Sequence, residues 1–192
     1  MNLVTPLRAH KAIVADDELV ARVADGKLDA LGELFDRYQP DVRRLVYRLG
    51  VSAGDVDDVV QLTFLDLVKA APRFDGRATA RSWIFGIAAM VVRRHRRTLR
   101  RWMADLAGNV FESRRVAPQT PHDAFERGEE QHRFERALAS LPDKKREVFV
   151  MVTMEGASGE EAAAALGVPL ATVWTRLHHA RLALRESLGA PS

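Results

Sequence analysis

Apolar residues recur along this chain at the three-to-four-residue spacing of helices, and no stretch alternates in the manner of a half-buried strand. Between Asp17 and Gly50, the set Leu19, Val20, Val23, Leu28, Leu31, Leu34, Leu45, Val46 and Leu49 predicts one or two amphipathic helices, stopped by Gly50. A second pattern runs from Asp55 to Ala71. It opens on Asp55, Asp57 and Asp58, an acidic first turn that the helix dipole favours. Its stripe is Val56, Val59, Val60, Phe64, Leu67 and Val68, and Pro72 ends it. After a turn at Arg73-Phe74-Asp75-Gly76, a long helix is expected from Ala80 to Arg101. Its first half is apolar (Trp83, Ile84, Ile87, Ala88, Val91) and its last half basic.

The periodicity lapses from Trp102 to Arg127, where Gly108-Asn109, Pro118 and Thr120-Pro121 read as a mobile linker. It returns over Glu130–Leu141 and again over Asp143–Met154, on either side of Pro142. Two short helical patterns follow, split by Leu166-Gly167-Val168-Pro169. The predicted fold is all-α: a tail over 1–16, a helical domain over 17–101, a linker over 102–127 and a second helical domain over 128–192.

The last two patterns form a helix-turn-helix. Ser158 and Glu161 have the spacing of a capping box. The helix they open is short and rich in alanine, so another helix can cross it closely. Gly167 suits the turn, and Pro169 suits the first position of the next helix. There Val173, Leu177, Ala180, Leu184 and Leu188 share a stripe. Ala171, Thr175, His178, His179 and Leu182 point away, and Trp174 and Arg176 occupy opposite flanks. Such a second helix lies in a DNA major groove, led by its N-terminal residues. An ordinary helical hairpin has the same pattern.

Charge sharpens the picture. The net charge of +3 is unevenly spread: residues 1–101 hold 18 Lys/Arg against 13 Asp/Glu, and the remainder holds 11 against 13. The excess gathers at Arg93-Arg94-His95-Arg96-Arg97-Thr98-Leu99-Arg100-Arg101, either a polyanion surface or a solvated helix end. With no cysteine, the chain has no disulfide, thiolate metal site or thiol chemistry. The apolar run Ile84–Val92 is too short to span a bilayer. No secretory pattern opens the chain, so a cytoplasmic location is expected. No nucleophile–base pair, phosphate loop or His-Glu metal motif is present, and neither enzyme activity, cofactor nor metal is expected. The adjacent His178 and His179 diverge by about 100° on a helix and do not converge on one ion. His95, His122 and His132 read as surface residues.

Two stretches resemble the extracytoplasmic-function group of bacterial sigma factors. One is Asp55-Val56-Asp57-Asp58-Val59-Val60-Gln61-Leu62-Thr63-Phe64 with Arg73-Phe74-Asp75 and Arg81-Ser82-Trp83-Ile84-Phe85-Gly86-Ile87-Ala88. The other is Leu141-Pro142, Arg146-Glu147-Val148, Glu155-Gly156 and Glu160-Glu161, ending in Leu166-Gly167-Val168-Pro169, Thr172-Val173, Arg176-Leu177 and Ala180-Arg181. The resemblance implies that Asp55, Asp58, Gln61, Leu62 and Asp66 dock on core RNA polymerase. It implies that Trp83, Phe85, Met90, Arg93, Arg94, Arg96 and Arg97 engage the −10 promoter element. Thr172, Trp174, Thr175, Arg176, His178 and His179 would engage the −35 element. It further implies an anti-sigma factor as partner and a monomer when free.

Four departures stand out. Leu62 replaces a common Glu, Ala89-Met90 a common Arg-Asn, Arg94 a frequent Asp, and Trp174 a basic or polar residue. Simpler readings compete for some positions. An acidic turn with a surface glutamine needs no partner, and Trp83 and Phe85 suit an apolar core. The competing function is a free-standing helix-turn-helix regulator that acts without polymerase.

Overall fold

Every regular element in the computed structural model is a helix, over described residues 14–107 and 128–189. The first apolar run divides into α1 (Asp16–Ala24) and α2 (Leu28–Arg48), with Asp25, Gly26 and Lys27 between them. Asp16 accepts hydrogen bonds from Arg37 and from the Tyr38 hydroxyl, which ties the start of α1 to the middle of α2. Burial, and then Asp16, push that hydroxyl above its ordinary range. Helix α3 (Val56–Ala70) follows, and Pro72 falls in a single 3-10 turn at Ala71–Arg73. Helix α4 spans Ala80–Ala107, so it runs on past the expected end at Arg101. These four helices pack mutually, α2 and α3 against α4 and α1 against α2.

The C-terminal part holds α5 (Glu129–Ser140), α6 (Asp143–Phe149), α7 (Gly159–Leu166) and α8 (Leu170–Leu188). Helix α6 continues into a π-helical turn at Val150–Met154, a widening that often marks a functional position. Residues 1–13 of the expected tail and most of the expected linker, with His122, lie outside the described residues.

The two helical parts are in contact. A single buried apolar cluster extends from Leu19 through Ile84 to Val148 and Leu184, and α4 packs along α7. Gly86 permits this crossing. A Cβ there would lie 2.3 Å from the Ala165 carbonyl oxygen. The alanine-rich α7 does admit a close neighbour, and that neighbour is α4.

Candidate functional site

Helix α3 buries Val56, Val59, Val60, Phe64 and Leu67 and turns Asp58, Gln61, Leu62 and Leu65 to solvent. At these intervals the four form one ridge. Leu65 is 57% exposed. Sequence reasoning missed it, although an apolar residue off the buried stripe was the available signal. Asp55 and Asp66 do not join the ridge freely. Asp55 accepts from the Ser52 hydroxyl at 2.5 Å, and His95 Nε2 lies 3.5 Å from it. His95 is therefore not a surface residue, because its ring closes the gap between α4 and the start of α3. Asp66 pairs with Arg94 at 2.7 Å and Lys69 at 3.4 Å. The unusual arginine at 94 thus has its own acidic partner.

Helix α4 separates the expected −10 residues by face. Phe85 is fully buried, with the Arg81 guanidinium 4.4 Å above its ring. It is a core side chain in this arrangement, in keeping with the simpler reading of Phe85 as part of an apolar core. Trp83 is half-buried against Phe74, ring centroids 4.9 Å apart. Ala89 is buried and Met90 exposed. Arg94 and Arg97 face solvent, whereas Arg93 and Arg96 face the C-terminal part. Arg96 donates to Asp143 and to the Leu49 carbonyl. Arg100 pairs with Asp143 at 3.1 Å, and Arg93 lies 3.5 Å from Glu147.

Buried charge accompanies these contacts. Arg146 donates to the Leu49 carbonyl at 2.9 Å and to Leu141 at 2.9 Å, satisfying carbonyls at two helix ends. Burial, followed by repulsion from Arg96, brings its guanidinium down to about 10, so it stays charged at neutral pH. Burial pushes the Glu147 carboxyl up, and Arg93 only partly opposes this. Glu155, just after the π-helical turn, has a side chain 1% exposed. Its carboxylate accepts from Arg44 at 3.0 Å, Arg48 at 2.6 Å and Arg81 at 3.0 Å, and its carbonyl accepts from Arg81 at 2.8 Å. All three arginines belong to the N-terminal part.

The helix-turn-helix forms as its sequence dictates. Ser158 Oγ accepts from the Glu161 N–H at 3.1 Å, and the Ser158 N–H donates to Glu161 Oε2 at 2.8 Å. That N–H contributes most to holding the Glu161 carboxyl below its usual range. Gly167 takes φ 65° between α7 and α8. Pro169 is the N-cap of α8, one place earlier than expected. Val173, Leu177, Ala180 and Leu184 are buried. Trp174, Thr175, His178 and His179 are exposed, and Thr172 and Arg176 are half-buried. The Trp174 ring edge rests on Gly159, where a Cβ would stand 2.5 Å from Cζ2. The rings of His178 and His179 are 5.6 Å apart. Among the described residues no group of three acidic or histidine side chains gathers for a metal ion. No described helix is long and apolar enough to cross a membrane.

A long helix with a basic end and a helix-turn-helix whose second helix is exposed define a DNA-binding factor. Residues 34–103 match the family model described as Sigma-70 region 2, and residues 131–184 match Sigma-70, region 4. The chain is 34% identical over 180 residues to the ECF RNA polymerase sigma factor SigC of Mycobacterium tuberculosis, covering 90% of this chain and 93% of that protein. It is 31% identical over 178 residues to the ECF RNA polymerase sigma-E factor of Escherichia coli, covering 89% and 93%. The chain belongs to the sigma-70 family, in its extracytoplasmic-function group; it directs RNA polymerase to promoters and is not an enzyme. Among solved structures, CnrH in complex with the cytosolic domain of CnrY superposes with TM-score 0.63 at 31% identity, covering 93% of this chain and all of that one. The sigma factor RpoE from Bartonella quintana, in complex with the anti-sigma factor NepR, shares the fold with TM-score 0.67 at 24% identity, covering 84% and 98%.

Proposed function

We propose that Asp58, Gln61, Leu62 and Leu65 are the docking ridge for core RNA polymerase, with Asp55 and Asp66 bracing α3 behind it. The exposure of this ridge on a helix whose other face is buried carries the reading. Arg93, Arg94, Arg96 and Arg97 hold the phosphates of the −10 region, with Trp83 and Met90 beside the bases. On α8, Thr172, Trp174, Thr175, Arg176, His178 and His179 face the −35 groove. Trp174 packs against a sugar or thymine methyl, because it lacks the paired donors that read guanine. CnrH and the Bartonella factor are each solved with a protein bound, and an anti-sigma partner in the cytoplasm is the counterpart here.

Transcription reconstituted from core polymerase and this chain tests the assignment. Promoter-specific transcripts are expected to depend on the chain, and Asp58→Ala with Gln61→Ala should lower its affinity for core. Unchanged affinity would remove α3 from the interface. Duplex DNA bound tightly by the chain alone, with no effect of core, would favour a free-standing regulator.

A further inference from the structure

We propose that the leading end of α8 selects thymine at one −35 position through its 5-methyl group, with Trp174 as the specificity-determining residue and Leu170 beside it. The proposal rests on the assignment of α8 to the −35 groove and adds the chemistry that this helix reads there. Leu170, Ala171, Trp174 and Thr175 are the exposed residues that open α8. Leucine and alanine side chains carry no hydrogen-bonding group, and indole has one N–H and no acceptor. The Thr175 hydroxyl donates to the Ala171 carbonyl at 2.9 Å, so its proton is engaged within the helix. The end of α8 that would lead into the groove is therefore mostly apolar.

Trp174 is 48% exposed and Leu170 37%, yet both side chains have a seat in the fold. At i,i+4 spacing they are neighbours, and both come down on buried Gly159 of α7. A Cβ at Gly159 would stand 2.5 Å from Trp174 Cζ2 and 3.0 Å from Leu170 Cδ1. The missing side chain at Gly159 is what lets the indole lie this low. A ring already held by its own fold loses little freedom on binding DNA. Its seat is the first turn of α7, and the first helix of a docked helix-turn-helix crosses the DNA backbone. The indole accordingly stands at the wall of the groove.

In the major groove guanine, adenine and cytosine are read by polar groups, and thymine alone adds a methyl. That methyl projects from C5, the side of the base nearest its own backbone, where the indole stands. A sugar is present at every nucleotide, so contact with it carries no sequence preference. Contact with the methyl does, and this is the difference that an experiment can read.

The test uses holoenzyme assembled from core RNA polymerase and the full chain. Binding to a pool of promoters randomised over the −35 element should enrich thymine at one position or more. Replacing an enriched thymine by deoxyuridine removes only the methyl. At one position this should lower affinity about fourfold, the effect of one buried methyl group. Trp174→Ala should weaken binding and erase the deoxyuridine penalty. Gly159→Ala keeps the indole but fills its seat, and alanine suits a helical position; it should shrink the penalty. The deoxyuridine scan on the unaltered chain gives its answer even if a variant fails to fold. A penalty absent at every enriched thymine, or one that persists in Trp174→Ala, overturns the proposal and leaves α8 as the −35 helix. An even loss across all sequences in Trp174→Ala overturns it in favour of a sugar contact. No preferred −35 sequence at all, with Arg176→Ala also without effect, would sink the assignment of α8 itself.

Discussion

Gly86 of α4 lies so close to Ala165 of α7 that a single added carbon would stand 2.3 Å from the Ala165 carbonyl oxygen. The obstacle is backbone, which cannot swing aside as a side chain can. Gly86→Ala should therefore push the two helical parts apart. It should not weaken α4 itself, since alanine is favoured over glycine within a helix by about 1 kcal/mol. Small-angle scattering should give a larger radius of gyration, with helical circular dichroism retained. An unchanged radius would mean that α4 and α7 slide past each other at little cost.

Leu65→Ser with Leu62→Ser should lower affinity for core polymerase while moving the melting temperature little. Both side chains already face solvent, and substitutions at such positions usually stay within about 0.5 kcal/mol. Titration with core polymerase beside a thermal melt checks this. A large loss of stability with core affinity intact would place the pair in the fold instead.

Glu147 carries a pH prediction. Burial raises its carboxyl pKa in the folded chain, so the native state holds that proton more firmly than the unfolded state does. Its protonation favours the fold at low pH, and this share of stability is lost as pH rises from the unfolded value through the raised one. Glu147→Gln should therefore melt higher than the parent at neutral pH, and the gap should shrink on acidification. A parent that melts higher at pH 7 would show that the Arg93 pairing outweighs burial.

Ser158→Ala removes one half of the capping box and leaves the Glu161 N–H without its acceptor. The expected cost is about 1 kcal/mol, read as a lower midpoint in a denaturant melt. Ser158→Asp should restore most of it, because a carboxylate also caps and suits the helix dipole.

Arg176→Ala distinguishes base reading from phosphate holding. A base contact predicts a loss of about 1–3 kcal/mol and relaxed preference at one −35 position. A phosphate contact predicts an even loss across sequences and a salt slope lower by about one unit. Promoter binding by holoenzyme, titrated with salt on substituted −35 sequences, separates them.

Local features were legible in the sequence because they repeat or because one residue type is demanded. The helical stripes, the Ser158–Glu161 box and the Gly167 turn all appear as expected. The contact between the two parts was not legible. Glu155 stands in the sequence only as part of the Glu155-Gly156 pair of the family pattern, and its partners Arg44, Arg48 and Arg81 lie far away along the chain. No periodicity records a pairing of that kind. The burial of Phe85 was not legible for a related reason. An aromatic at a position read through family resemblance looks available for a base, and only packing reveals that Arg81 covers its ring. His95 likewise sits in a basic run, and its closeness to Asp55 depends on how α3 leans on α4.

The length of α4 has a mechanical consequence. Its 28 residues form one uninterrupted rod, about 42 Å from end to end at the helical rise. The arginines that would meet DNA and the point where the chain leaves toward the second half are fixed to the same shaft. Twisting the shaft at one end turns the other with it. Inserting one residue after Arg101 would leave every packed contact of the N-terminal half in place, yet swing the exit direction by about 100° and advance it by about 1.5 Å. The direction in which the described part of α4 ends is thus locked in phase to its own basic face.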